Sequence, residues 1–524
     1  MTQKVHIGLI DKTKDRLSHL ILESKSKLED CFYIDLRVQV SEGQQAVAQD
    51  GMMKFSLRDY SLSYGLRVIA GKDALAPGYF GESLGAADVG GLPNIVGVGL
   101  RQAYERAIAN SRLKSERKNR WEVLGQSLWS TELAPIKARR DTIPAVYRIS
   151  PLDVPLGEVS KLAQETSQAV ASYDPRVKVN QIFIDTSLTR QLFVSSEGAS
   201  IDQTYALTQG LSWVAAVGNN GNQQAHYDCL GHQRGWEILT DGVDDELIKL
   251  KPFMQFSLDL ASDSVQLSEA KVCPSTGKEV VVVTNPHYNT LLAHEIIGHP
   301  TELDRGLKLE TAYAGRSWLL RSLNQTMLGK QVASPLVSAY SDPLLPGYGH
   351  YEYDDEGTPA ERIVHIDKGI FCGFMNSRQT AAILGVSPNG HFKAVGASYV
   401  PLIRMSTTLF AKGERDPEDI LSEVDHGYYL AGHRIPSISE SRENFRITAT
   451  KVFEIKDGKL GEMFRDGGMM ANAKDYLMSV DAVGNDLRIY PILNCGKGQP
   501  MQAKKVGNGG PTMRARARLV GGKG

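Results

Sequence analysis

Residues 277–304 read GKEVVVVTNPHYNTLLAHEIIGHPTELD. The valines at 280–283 are β-branched and continuous, the pattern of a strand buried on both faces. Asn285 is a good helix N-cap, and Pro286 suits the first helical position, where its missing N–H costs nothing. A helix entered directly from a buried strand therefore carries His294, Glu295 and His299. The histidines stand five apart, not the four of the familiar H-E-x-x-H zinc motif. At about 100° per residue, positions five apart point roughly 140° away from each other on a regular α-helix. Gly298 weakens the helix, and Pro300 disfavours helical backbone at His299. The helix should end or widen into a π-turn at Gly298, which swings His299 back toward His294. Pro300 and Glu302 suit the opening of a second helix.

The rest of the chain sets the context. Its 524 residues are too many for one ordinary core, so two domains are expected. Hydrophobic residues make up 42% and charged residues 23%, as in a soluble globular protein. A formal net charge of -1 asks for neither nucleic acid nor a membrane surface as partner. No apolar run approaches a membrane span, and the first 17 residues contain no signal-peptide h-region. Five scattered cysteines, Cys31, Cys229, Cys273, Cys372 and Cys495, do not form a disulfide framework. A reducing cytoplasm is the expected location, and any special cysteine is a ligand or nucleophile.

Helical patterns fall near 13–29, 95–118, 155–172 and 240–270. Strand patterns fall at 31–40, 53–71 and 178–218, and everything after about 275 is strand-rich. The GNNGNQQAHYD stretch at 218–228 reads as a turn or strand end. Residues 119–144 read as irregular, and the basic run RLKSERKNR at 112–120 as a solvated helix face. The expected fold class is α+β with two domains: an N-terminal α/β domain over 1–240 and a C-terminal β-rich domain over 241–524 that carries the motif helix.

Glu295 follows the first histidine, where zinc proteases place their general base. The plain alternative is a helix end with two ordinary histidines. A catalytic zinc takes three protein ligands and keeps one position open, so one further ligand is needed. Glu302, Asp304, His287, His350, His365 and Cys495 all qualify by chemistry, and spacing does not choose among them.

HEIIGHPTELD at 294–304 resembles the motif of the TldD/PmbA metallopeptidase family, whose catalytic members carry H-E-x-x-x-H. The likeness extends through residues 329–385, with a D-D-E-G turn at Asp354, Asp355, Glu356 and Gly357, through VPLIRMSTT at 400–408, NCGKGQP at 494–500 and GNGGPTMRARA at 507–517. It is clear over about 270–515 and weaker over 30–240, where VSSEGASIDQT and GLRVIAG carry it. The family has Asn where this chain has Thr407. The resemblance implies metal ligands at His294, His299 and Cys495, and a catalytic glutamate at Glu295. It also implies an N-terminal α/β domain beside a barrel-like C-terminal sheet.

Zinc suits two imidazoles and a thiolate, though that donor set does not exclude iron. The resemblance further implies substrates that are unfolded peptides or small proteins, and a dimer. The dimer is either a homodimer or a heterodimer with a sister subunit that lacks the motif. The leading reading is a metallopeptidase. A non-catalytic subunit that holds peptides or a partner is the alternative, and an intact Glu295 argues against it. A third reading, regulator of a DNA enzyme, is a label some relatives carry; balanced charge and the lack of a recognition motif argue against nucleic-acid binding.

Overall fold

The computed structural model describes residues 6–117, 122–123, 126–127, 130–313 and 315–522. Residues 1–5 at the N-terminus, and parts of the basic run and of the irregular 119–144 stretch, lie outside them.

The N-terminal half contains α1 (Leu9–Lys27), β1 (Cys31–Gln49), β2 (Met52–Ala70), β3 (Ala76–Leu84), α2 (Leu92–Glu116), α3 (Leu156–Ala171), β4 (Val177–Ser195), β5 (Ser200–Val217) and β6 (Gln223–His232). The sheet order is β3-β2-β1-β4-β5-β6, antiparallel throughout; a short strand at Arg140–Ile143 adds in parallel beside β5. Side chains alternate between faces along each strand. On β1, Ile34, Leu36, Val38 and Val40 join a core with Leu17 and Ile21 of α1 and Val96 and Leu100 of α2. The opposite face carries Asp35 and Arg37, both buried. The segment read as a turn or strand end at 218–228 is a turn as far as Asn222, and its second half opens β6. Gln223, Gln224, His226 and Asp228 break its apolar alternation, although most of the strand is buried.

α4 (Phe253–Glu269) leads into the second half. There follow β7 (Glu279–Thr284), α5 (Pro286–Ala293), β8 (Thr407–Phe410), β9 (His426–Ile438), β10 (Asn444–Lys456), β11 (Gly468–Asn472), β12 (Arg488–Lys497), β13 (Gln502–Gly510) and β14 (Met513–Val520), with shorter strands between. Strands β9, β7, β14, β11 and β10 pair in that order, and β10 returns to β9, closing a five-stranded barrel. A second sheet ends in β8-β13-β12, so β12 is its terminal strand; on its outer side Ile489 N–H bonds to Leu247 C=O at 2.9 Å. The valine strand β7 sits inside the barrel wall between β9 and β14, as its composition requires.

Opposite charges join the two halves. Arg37 meets Asp355 at 3.4 Å, and Arg67 meets Asp35 and Glu356, each at 2.6 Å. The D-D-E-G turn thus meets cations presented by the polar face of the first sheet. An apolar cluster also crosses between them: Ala46, Val214 and Phe253 pack with Leu409, Leu487 and Ile489.

Candidate metal centre

The motif helix begins as its sequence dictates. The Asn285 side chain accepts a hydrogen bond from Tyr288 N–H at 2.8 Å, and Pro286 takes the first helical position. α5 ends at Ala293, and His294–Gly298 form a π-turn in which His299 N–H bonds to His294 C=O, five residues back. The i+5 bond aligns what an α-helix would splay. Gly298 has a second reason to be glycine: a Cβ there would lie 2.7 Å from the Met405 side chain. Pro300 sits in a single 3₁₀ turn, His299–Thr301, and the next helix starts only at Leu303. Glu302 is therefore at the N-cap rather than in the first turn of the second helix, and its side chain turns back toward His299.

His294 and His299 stand with ring centroids 4.7 Å apart and ring planes at 87°. Cys495 reaches them from β12, next to a register irregularity between Ile492 and Cys495. One donor atom from each of the three residues lies within 4.8 Å of the others, and all three residues are buried. Cys495 Sγ is 3.6 Å from His299 Nε2. Zn–S and Zn–N bonds of about 2.3 and 2.05 Å at a tetrahedral angle require about 3.6 Å between those atoms. That one distance matches a tetrahedral zinc, and the three donors together are near enough to share one ion.

Each imidazole is oriented through its other nitrogen, as metal-binding histidines usually are. His299 Nδ1 lies 3.0 Å from Glu302 Oε2, and His294 Nδ1 lies 3.3 Å from Asn508 Oδ1. Glu302 also accepts from Arg305 Nε at 2.8 Å and Lys497 Nζ at 3.1 Å. Burial alone would raise its pKa; Lys497, His299 and Arg305 outweigh burial and hold it well below the usual carboxylate range. Cys495 behaves alike: burial would raise the thiol, and the two imidazoles pull it well below its ordinary value.

Glu295 is not among the three donors. Its carboxylate pairs with the Arg442 guanidinium. Burial would raise Glu295, but Arg442 and then the two imidazoles bring it below the ordinary glutamate value.

The other sequence candidates stand elsewhere. Asp304 pairs with Lys497 at 2.7 Å. His287 stacks on Tyr490 and faces Asp228 at 3.6 Å. His350 lies 3.6 Å from Glu352, and His365 is hydrogen-bonded to Ser341 and Gly373. Sequence reasoning missed Arg442, Lys497 and Asn508. The last two lie in the quoted NCGKGQP and GNGGPTM stretches, which was their only signal; Arg442 had none.

A family model described as the PmbA/TldA metallopeptidase C-terminal domain matches residues 276–522. A metalloprotease of Methanothermobacter thermautotrophicus is 32% identical over 375 residues, 71% of this chain and 76% of its own. The chain belongs to the TldD/PmbA family of metallopeptidases. Metalloprotease MJ0996 of Methanocaldococcus jannaschii is 28% identical over 73% of this chain and 78% of its own. The crystal structure of TldE from Thermococcus kodakarensis superposes with a TM-score of 0.67 at 17% identity, covering 96% of this chain and all of that one. The TldD/PmbA fold therefore runs through both halves. Among the described residues, no helix is long and apolar enough to cross a membrane.

Proposed function

We propose that the chain is a metal-dependent peptidase in which His294, His299 and Cys495 hold one ion and Glu295 is the general base. The carrying observation is the convergence of two imidazoles and a thiol at a spacing that suits tetrahedral zinc. Zinc is the first choice, and iron also accepts such donors. When bound, the ion supplies Lewis acidity at the scissile carbonyl and lowers the pKa of water. Glu295 accepts the proton of the attacking water and returns it to the leaving amine. Arg442 keeps Glu295 ionised, hence able to accept. Glu302 and Asn508 hold the imidazoles in the tautomer that offers the second nitrogen.

A cleft of about 270 Å³ opens beside His294 and Glu295, lined by Tyr227–Cys229 of β6 and Pro491–Asn494 of β12. β12 ends its sheet, so an extended peptide can pair with its main chain at little cost in sequence preference. The proposed substrates are unfolded peptides and small proteins. The proposed assembly is a dimer, with a TldE-like sister subunit or with a second copy. The domain boundary is proposed at 240/241, and the location as cytoplasmic.

The alternative, a subunit that holds peptides or a partner without cleaving them, draws support from the pairing of Glu295 with Arg442. One experiment separates the two: metal analysis and peptide cleavage for wild type and Glu295→Gln. The peptidase reading expects the variant to keep about one metal per chain and to lose cleavage by about 10²-fold or more. Full activity in pure Glu295→Gln rejects the mechanism. Digestion of one small protein, native and unfolded, with light scattering of the enzyme, tests substrate and assembly together. Equal cleavage of both forms by a monomer rejects the unfolded-substrate reading and the dimer.

A further inference from the structure

A second cleft, of about 300 Å³, lies between the polar face of the first sheet and strand β13. The first sheet contributes Gln39, Ser187 and Thr189, and β13 contributes Lys504 and Lys505. Three lysines border it. Lys393 pairs with Asp355 at 2.7 Å, but Asp355 is shared with Arg37. Lys505 is 3.4 Å from Asp185. Lys504 has no carboxylate within 4 Å among the described residues; it donates to Met405 C=O at 3.3 Å and lies 4.8 Å from the centre of the Tyr351 ring.

Two orphaned polar atoms belong to residues of the same lining. The Tyr205 hydroxyl and His350 Nδ1 are buried with no hydrogen-bond partner among the described residues. Buried polar atoms are nearly always paired, so orphans gathered on one cleft mark a missing partner. Ammonium and tyrosyl groups donate hydrogen bonds, and an ammonium cannot accept one. A hydrogen-bond acceptor would complete the lysines and the Tyr205 hydroxyl, and negative charge on it would offset what holds Lys504 well below the ordinary lysine value: burial first, then the neighbouring Lys393 and Arg404.

We propose that this cleft binds a small molecule carrying carboxylate or phosphate oxygens, held by Lys504, Lys505 and the Tyr205 hydroxyl. The site is separate from the metal donors, and its existence does not rest on the peptidase reading. Charge-assisted hydrogen bonds to carboxylate or phosphate are the strong ones, so a cleft of this size suffices for a specific contact.

The test is isothermal titration of the full chain with inorganic phosphate and, separately, with succinate, in chloride at matched ionic strength. Saturable binding of at least one is expected, weakened tenfold or more in Lys504→Met and severalfold in Tyr205→Phe. Metal content should be unchanged in both variants. Binding of phosphate alone assigns a phosphate-bearing ligand, and binding of succinate alone a carboxylate-bearing one. If neither binds saturably, the proposal fails. It fails equally if a variant that melts as the wild type does also binds as the wild type does. Tyr205→Phe deletes a single hydroxyl and keeps the packing, so it remains informative should Lys504→Met unfold.

Discussion

Replacing Glu302 by Gln keeps the volume of the side chain and removes one charge at the hub of the candidate metal centre. The carboxylate is fully buried and meets Arg305 at 2.8 Å, His299 at 3.0 Å and Lys497 at 3.1 Å. At an effective dielectric of 20, a unit pair 2.8 Å apart gains about 6 kcal/mol. Burial of the charges offsets much of that, and breaking such a pair costs about 3–5 kcal/mol. The loss should concentrate on Arg305. Lys497 keeps Asp304 and the Ile403 carbonyl, each at 2.7 Å, whereas Arg305 keeps the Ala312 carbonyl at 3.1 Å and a distant Glu310 at 3.9 Å. For a chain of this length unfolding as one unit, the cost is about 3–5 °C in melting temperature. His299 also exchanges a charged acceptor for a neutral amide oxygen, which should weaken metal binding about 10-fold or more. Competition titration of zinc against a chromophoric chelator measures the second effect; calorimetry of the chelator-treated protein measures the first. A variant that binds zinc within about twofold of wild type would show that Glu302 does not position His299, and the account of the carboxylate hub would be wrong.

Cys495→Ser should lose most metal affinity, because a serine hydroxyl is far harder to ionise than a thiol; metal analysis of single serine variants at Cys31, Cys229, Cys273 and Cys372 should show no loss. The apoprotein should be acid-sensitive. Burial holds His365 at about 4 and His391 at about 3, and His226 and His232 are depressed alike. The unfolded chain binds these protons near pH 6.5 and the folded chain does not, so stability present above pH 6.5 is lost as pH falls from there toward 4. Each such histidine costs about 1.4 kcal/mol at one unit below its unfolded pKa, and denaturant titration across pH 7 to 5 reads the slope.

The local design of the motif was legible because each of its signals is local. Asn285 caps, Pro286 starts the helix, and the Gly298–His299–Pro300 sequence breaks it. The five-residue spacing then forces the π-turn. What joins the motif to the rest was not legible. Cys495 lies about two hundred residues away with no spacing rule to bring it back, so only the family resemblance singled it out. Glu302 was a candidate ligand because a carboxylate near a histidine has two possible uses, and sequence does not say which way it turns. β6 was legible only as a strand end, because Gln223, Gln224, His226 and Asp228 break the apolar alternation.

The charged seam between the halves bears on how the chain can be cut. Arg37 and Arg67 lie on β1 and β2, whereas Asp355 and Glu356 lie far downstream. A fragment ending before the barrel would leave Arg37 without Asp355 and Arg67 with Asp35 alone, and a fragment beginning at the barrel would leave Asp355 with Lys393 alone and Glu356 without Arg67. Each piece would expose charges buried at the seam, whatever its own core. During synthesis the first sheet leaves the ribosome with its polar face still bare, and that face is covered only once residues 354–356 have followed.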